Sequence, residues 1–124
     1  MGRILIVDDA KFMRVTLTKI IEEAGHEVVG EAMTGTEAIE LYRKLKPDLV
    51  FMDITMPDMD GITAVRTIVE EFPDAIIVMC SALGQQRMIV EAIEAGAKDF
   101  IKKPFDSSQI VETIEKMLAN QEKP

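Results

Sequence analysis

Short apolar runs alternate along the chain with stretches in which apolar residues recur every three or four positions. Runs of this length predict β-strands, and runs that stay apolar at consecutive positions are typical of parallel strands buried on both faces. The sequence therefore predicts five strands, of which the second is the weakest. They are ILIV, EVVGE, DLVFMD, AIIVMC and KDFIKK, at 4–7, 27–31, 48–53, 75–80 and 98–103.

The stretches between these runs have the apolar spacing of amphipathic helices, and residues that favour helix ends stand at their borders. Glycine and proline predict where helices stop, while small polar residues predict where they start. The predicted borders are Gly25 after the first helix, Thr34 with Glu37 as a capping box before the second, Pro73 after the third, Gly96 after the fourth, and Asp106 with Gln109 before the fifth.

Alternation of strand and helix five times predicts an α/β fold, a doubly wound (βα)5 domain with helices on both faces of a five-stranded parallel sheet. Periodicity does not give the strand order, and we expect 2-1-3-4-5, the order of flavodoxin-like folds. The chain has 124 residues, so 1–124 is expected to form a single domain.

The composition excludes several classes of function. The chain carries 14 Lys and Arg against 22 Asp and Glu, a net charge of −8, which disfavours nucleic acids and anionic membranes as partners. No apolar run approaches the ~20 residues that span a bilayer, and the N-terminus is not a signal peptide. The chain has one histidine and one cysteine. This argues against metal sites built on those residues and is consistent with a cytoplasmic location.

Polar residues of particular types follow four of the predicted strands. Asp8 and Asp9 follow the first strand, Asp53 ends the third, Ser81 follows the fourth and Lys103 ends the fifth. The carboxyl ends of parallel strands share one edge of the sheet, where open α/β folds bind ligands. We therefore expect these five side chains to meet in one crevice.

The chemistry of that cluster indicates phosphoryl transfer. Neighbouring carboxylates repel one another, and Mg²⁺, which prefers oxygen ligands, relieves the repulsion. Lys103 would bind phosphoryl oxygens, and Asp53 would accept the phosphoryl group as an aspartyl phosphate. Acids at strand ends often only cap the next helix, and lysines usually lie on the surface. To aim the amine into the crevice, the Lys103–Pro104 bond is predicted to be cis.

Two other reactive side chains are predicted to be structural. Cys80 follows the apolar residues IIVM and is predicted to be a small buried hydrophobic residue. His26 lies between the first helix and the second strand and is predicted to be a surface turn residue.

Four segments together resemble the receiver domain of two-component response regulators, over nearly the whole chain. They are VDDA (7–10), MDITMPDMDG (52–61), CSA (80–82) and KKPF (102–105). The stretch DDAKFMR (8–14) is similar to chemotaxis members of the family in the form common outside the enteric bacteria. The resemblance implies a cytoplasmic phosphorylation switch rather than a conventional enzyme. A CheA-like histidine kinase would supply the phosphoryl group.

The resemblance also implies a role for each matching residue. Asp53 would be the phosphoacceptor. Asp9 would bind Mg²⁺ directly, Asp8 would bind it largely through water, and the backbone carbonyl of Thr55 would complete the protein ligands with Asp53. Lys103 would bind the phosphoryl oxygens.

Two further residues would form the switch. Ser81 would move to bond the phosphoryl group, and Phe100 would follow it inward. The sequence departs from enteric chemotaxis members at Thr55, where they carry Asn, and at Leu83, where they carry an acid. Both positions flank the attacking water, so the phosphate lifetime of those members does not carry over.

The expected function is that of a monomer without an output domain, signalling through helix 4, strand 5 and helix 5. The favoured partner is the chemotaxis motor switch or its adaptor, with a phosphatase as a further partner. One alternative is a phosphorelay intermediate that passes its phosphoryl group to a second histidine. An Asp-nucleophile phosphatase would need D-x-D-x-[TV] where this chain has DDAKF (8–12), and a flavodoxin would have to hold its FMN phosphate beside Asp8 and Asp9.

Overall fold

The computed structural model describes residues 1–82 and 86–122, with side chains up to residue 119. Within these ranges the chain forms five strands and five helices in strict alternation, as predicted. The elements are β1 Arg3–Val7, α1 Lys11–Glu23, β2 Glu27–Ala32, α2 Gly35–Leu45, β3 Leu49–Met52, α3 Gly61–Glu71, β4 Ile77–Ser81, α4 Gln86–Ala95, β5 Asp99–Lys102 and α5 Ser107–Glu122.

The strands form one parallel sheet in the order β2-β1-β3-β4-β5, which confirms the predicted order. The strands β1, β3 and β4, which have the most continuous apolar runs, lie in the middle of the sheet and are almost wholly buried. The weaker strand β2 lies at an edge. Its residues are less buried than those of the central strands, which accounts for its weaker apolar pattern. Its register with β1 shifts so that Ile4 pairs with Val28 and Leu5 with Gly30.

All five predicted strands differ from the observed ones by one or two residues at one or both ends. β4 begins at Ile77 rather than at Ala75, because the Ala75 N–H still donates to the carbonyl of Phe72 in the turn after α3. β3 starts after Asp48, whose carboxylate accepts the Arg3 N–H at 2.9 Å.

The two faces of the sheet carry separate hydrophobic clusters, and alternate residues of each strand contribute to one or the other. Leu5 and Val7 belong to the cluster under α2, α3 and α4, while Ile4 and Ile6 belong to the cluster under α1 and α5. This alternation follows from the period of two along a strand. It fixes the sheet as the middle layer of the domain, with its carboxyl edge free to form a crevice.

The predicted helix borders are confirmed by the hydrogen bonds at the helix ends. Gly25 ends α1 with φ 88°: its N–H donates to the Glu22 carbonyl and the His26 N–H to the Ile21 carbonyl, the pattern of a Schellman cap. Gly96, with φ 121°, ends α4 with the same pair of bonds.

The predicted capping residues also engage. The hydroxyl of Thr34 accepts the Glu37 N–H at 3.1 Å, and the Glu37 carboxylate accepts the Met33 N–H, one residue before the cap. At the start of α5 the side-chain oxygen of Gln109 accepts the Asp106 N–H at 2.8 Å.

The predicted structural role is confirmed for Cys80 and only partly correct for His26. Cys80 is 2% exposed, and its burial raises the pKa of the thiol to about 12. His26 does lie in a turn, but its side chain is only 8% exposed. Its Nδ1 accepts the Gly2 N–H at 2.9 Å and its Nε2 lies 3.2 Å from Glu115 Oε1, because this turn packs between the chain start and α5.

Candidate functional site

Three carboxylates meet at the carboxyl edge of the sheet, where the adjacent strands β1 and β3 end. One carboxylate oxygen from each of Asp8, Asp9 and Asp53 can be chosen so that all three atoms lie within 4.8 Å of one another. Asp8 and Asp53 are buried, while Asp9 is exposed at the mouth of the crevice. The predicted convergence of the acids is therefore confirmed.

Asp8 is fixed by groups around its carboxylate and its carbonyl. Its Oδ1 accepts the Ala10 N–H at 2.9 Å, and its Oδ2 lies 2.7 Å from the ammonium of Lys103. Arg14 donates to the Asp8 carbonyl at 2.8 Å and pairs with Glu31 at 3.1 Å. The N-cap of α1 is Ala10, which has no side-chain capping hydrogen bond. The Asp8 carboxylate therefore does not cap the helix that follows it, and it remains part of the crevice.

Asp53 is held more loosely, between a backbone donor and the lysine. Its Oδ1 accepts the Ile54 N–H at 2.8 Å, and its Oδ2 lies 3.7 Å from Lys103 Nζ. Burial raises the pKa of Asp53, and the negative charges of Asp8 and Asp9 add to it, against the opposing effect of Lys103 and the Ile54 N–H. Asp53 is therefore a carboxylate whose charge is poorly compensated.

Lys103 approaches the acids from the far side of the crevice. The Lys103–Pro104 bond is cis, as predicted. Burial lowers the pKa of the ammonium, but its hydrogen bond to Asp8 and the negative charges of Asp53 and Asp8 outweigh this effect, so the pKa is raised overall. The Lys103 N–H donates to the carbonyl of Ser81 at 2.9 Å, and Ser81 is 1% exposed. The ends of β4 and β5 thus place the lysine and the serine at the same edge.

The other predicted site residues lie at the margins of the crevice. Thr55 is exposed in the loop that follows β3, two residues after Asp53. Phe100 lies in β5, half-buried against the cluster under α2, α3 and α4. Leu83 lies outside the described residues.

The loop from β3 to α3 passes so close to Asp53 that it requires a glycine at its end. The Gly61 N–H donates to the Ile54 carbonyl at 2.6 Å. A Cβ on Gly61 would lie 1.9 Å from the carbonyl oxygen of Asp53, too close for any residue with a side chain. The α3 helix then starts with its own cap, the carboxylate of Asp60 accepting the Thr63 N–H at 2.8 Å.

Sequence reasoning missed Asp58, in the same loop. Its Oδ1 accepts the N–H groups of Gly35 and Met59, and its Oδ2 accepts both the N–H and the hydroxyl of Thr36. The hydroxyl and N–H of Thr36, with the N–H groups of Gly35 and Met59, hold the pKa of Asp58 at about 2, against the opposing effect of burial. The letters MPDMDG indicate a turn but give no sign that this acid reaches α2.

The donor set fits Mg²⁺. Three carboxylates at one point offer the hard oxygen ligands that the ion prefers. Burial raises the pKa of Asp53 most, and the charges of Asp8 and Asp9 raise it further, so a cation between the acids would relieve their repulsion.

Comparisons with known proteins agree with this geometry. Residues 4–115 match the response regulator receiver domain. The chain is 59% identical over 115 residues to the chemotaxis protein CheY of Thermotoga maritima, covering 93% of this chain and 96% of that protein. It is 56% identical over 116 residues to CheY of Bacillus subtilis, covering 94% and 97%.

A solved structure is similar as well. It is the CheX–CheY–BeF3–Mg²⁺ complex of Borrelia burgdorferi, with a TM-score of 0.91 at 36% identity, covering 94% of this chain and 88% of that one. The chain belongs to the response regulator receiver domain family. It is a signalling protein rather than a conventional enzyme, which sets aside the phosphatase and flavodoxin alternatives. Among the described residues, no helix is both long and apolar enough to cross a membrane.

Proposed function

We propose that the chain is a chemotaxis response regulator that accepts a phosphoryl group from a histidine kinase on Asp53. The observation that carries the proposal is the position of this carboxylate, within 4.8 Å of oxygens of Asp8 and Asp9 and 3.7 Å from Lys103 Nζ. The identity to CheY proteins along almost their whole length supports the chemotaxis role.

In the transfer, a carboxylate oxygen of Asp53 attacks the phosphorus of the phosphohistidine. A P–O bond forms, the P–N bond breaks, and the imidazole keeps the electron pair and takes up a proton. The product is an acyl phosphate on Asp53. Lys103 leaves its contact with Asp8 to bind the phosphoryl oxygens, and Ser81 donates its hydroxyl to another of them.

The metal site would be formed by Asp8, Asp9, Asp53 and the backbone carbonyl of Thr55. When bound there, Mg²⁺ would neutralise the acids and shield the phosphoryl oxygens from them. Asp9 would coordinate the ion directly because its carboxylate is exposed, while Asp8, already bonded to Ala10 and Lys103, would act largely through water. The pKa of Asp53, raised by burial and further by the charges of Asp8 and Asp9, supports this assignment.

The output surface would be the face formed by α4, β5 and α5. Val90 and Ile93 of α4 are 46% and 45% exposed, and Phe100 of β5 is half-buried. We propose the chemotaxis motor switch or its adaptor as the partner, with the protein acting as a monomer in the cytoplasm. The Borrelia burgdorferi complex joins CheX to CheY, and this supports a further protein partner for this chain, which we propose to be a phosphatase.

Labelling tests the phosphoacceptor. The parent protein with labelled acetyl phosphate and Mg²⁺ should acquire an acid-stable, base-labile label, and Asp53→Asn, which keeps the shape but cannot form an acyl phosphate, should acquire none. Label retained by the variant would move the acceptor to Asp8 or Asp9.

A second experiment distinguishes a phosphorelay intermediate from a motor-switch regulator. The phosphorylated protein is incubated with the cognate phosphotransfer and motor-switch proteins. Label that passes to a histidine supports the relay, and binding without transfer supports the motor switch.

A further inference from the structure

The loop between β3 and α3 carries Thr55 past the carboxylate cluster, and it is fixed at both of its ends. It leaves the sheet at Asp53 and returns where the Gly61 N–H donates to the Ile54 carbonyl at 2.6 Å. Between these points the loop extends away from the sheet. Thr55 lies between these two points, so contacts made by the rest of the loop bear on the position of its carbonyl.

The far end is held by α2. Asp58 accepts the N–H groups of Gly35 and Thr36, each at 2.9 Å, and the Thr36 hydroxyl also donates to it. The next residue, Met59, packs on the same point so closely that a Cβ on Gly35 would lie 2.2 Å from its Cγ. Two consecutive loop residues thus contact the first turn of α2, Asp58 through hydrogen bonds and Met59 through apolar packing.

The contacts of Asp58 do more than cap α2. The first N–H groups of a helix have no partner inside it; Thr34 accepts the one from Glu37, and Asp58 accepts those of Gly35 and Thr36. Asp58 comes instead from a separate element, three residues after Thr55. Its pKa of about 2 keeps the anchor charged at every pH at which the protein would work.

We propose that Asp58 is a positioning residue of the phosphorylation site. Bonded to α2, it holds the loop of residues 54–60 so that the Thr55 carbonyl keeps its place among the ligands of Mg²⁺. The inference rests on the proposed function, because it assigns Asp58 to the same metal site. The hydrogen bonds of Asp58 go to Gly35, Thr36 and Met59, none of which is a proposed ligand of Mg²⁺ or the proposed phosphoacceptor.

Mg²⁺ affinity measured by isothermal titration calorimetry tests this role. Asp58→Ala should raise the Kd for Mg²⁺ about tenfold, the lower end of the range for residues that orient metal ligands. Asp58→Asn keeps one oxygen for Gly35 and Met59 but offers no acceptor to Thr36, so its Kd should lie between those of Asp58→Ala and the parent protein. Thr34→Ala is the matched control: it removes the usual cap of α2, lowers the melting temperature and leaves the Kd unchanged.

The outcomes separate this inference from the proposed function. A parent protein that takes up no Mg²⁺ would overturn the proposed function and the inference with it. A parent protein that binds Mg²⁺ with the same Kd as both Asp58 variants would overturn the inference alone, leaving Asp58 as a second helix cap. A Kd raised equally by Thr34→Ala would also overturn it, since the effect would then belong to α2.

Discussion

The ammonium of Lys103 lies 2.7 Å from Asp8 Oδ2, closer than it lies to Oδ2 of Asp53, the proposed phosphoacceptor, from which it is 3.7 Å away. In the unphosphorylated state the lysine therefore pairs with a predicted metal ligand. The lysine and a cation at this site both compensate the same carboxylate, so each weakens the hold of the other on Asp8.

Removing the lysine charge should therefore tighten Mg²⁺ binding while impairing phosphorylation. Lys103→Met keeps much of the side-chain volume and removes one positive charge beside the site. Two charges about 4 Å apart interact by about 1 kcal/mol in a water-like dielectric, so the Kd for Mg²⁺ should fall about fivefold. The exposed neighbour Lys102 offers a control, since Lys102→Met changes the same net charge away from the crevice. Equal Kd values for the two variants would contradict the pairing with Asp8.

Mg²⁺ itself should stabilise the fold, because it binds the folded protein and relieves the repulsion among the acids. At ten times its Kd a ligand adds about 1.4 kcal/mol, which for a domain of this size raises the melting temperature by about 5 °C. Thermal unfolding in EDTA and in Mg²⁺ measures the effect, and Asp9→Ala should abolish most of it. A melting temperature that Mg²⁺ does not change would show that the carboxylates do not form a metal site.

The sequence predicts the features that depend on residues close together in the chain, and it does not predict those that depend on contacts between separate elements. The continuous apolar runs of β1, β3 and β4 reflect burial on both faces, so the strands and the chemistry at their ends were predictable. The order 2-1-3-4-5 is the known order of flavodoxin and of CheY itself, and it therefore came with the resemblance and not from periodicity.

The contacts that sequence reasoning missed all join different elements of the chain. Asp58 bonds to α2, the ring of His26 is buried between Gly2 and α5, and Arg14 reaches the Asp8 carbonyl while pairing with Glu31. Each of these residues lies in a turn or in a helix's first turns, where a polar side chain is ordinary. Only the packing of the elements decides which polar side chains are buried with partners.

The buried charge of Asp53 should make stability depend on pH in the absence of Mg²⁺. Its pKa in the folded protein is raised above the ordinary value of 3.8 by burial and by Asp8 and Asp9. The unfolded chain therefore loses this proton at lower pH than the folded protein does, and stability falls as the pH rises through the folded pKa. In EDTA, Asp53→Asn should be more stable than the parent at neutral pH, and its advantage should shrink as the pH falls towards 3.8. Urea unfolding of both proteins across this range measures the difference; an advantage independent of pH would contradict it.

The close approach of the loop to Asp53 predicts that Gly61 tolerates no side chain. A Cβ there would lie 1.9 Å from the Asp53 carbonyl oxygen, so Gly61→Ala should lower the free energy of unfolding by about 3 kcal/mol, the upper end for overpacking, and weaken Mg²⁺ binding. Gly25→Ala is the control, because that position has φ 88° but nothing within 4 Å of a Cβ; it should cost about 1 kcal/mol through its backbone alone. If urea unfolding shows the same loss of unfolding free energy for Gly61→Ala and Gly25→Ala, the loop moves aside without cost.

The switch should be incomplete with the phosphoryl group alone. A phosphoryl group brings about −1.5 to −2 charges to the crevice, and one charge-assisted hydrogen bond from Ser81 is worth about 1.5–3 kcal/mol. Moving a population from 1:99 to 99:1 needs about 5.5 kcal/mol, so Ser81 alone falls short even with the stronger bond. Binding of the motor-switch partner to the face of α4, β5 and α5 should complete the shift, with Phe100 turning inward.

The coupling between phosphorylation and partner binding is reciprocal, so either side of it can be measured. Beryllofluoride, a mimic of the phosphoryl group, should raise the affinity of the parent protein for its motor-switch partner. In Ser81→Ala this enhancement should fall about tenfold, the equivalent of the lost hydrogen bond, while labelling of Asp53 continues. Asp53→Asn serves as the control that shows no enhancement. Because the hydroxyl of Ser81 is the only part removed, an equal enhancement in the parent and in Ser81→Ala would mean that the signal reaches Phe100 by another route, through Lys103 and the end of β5.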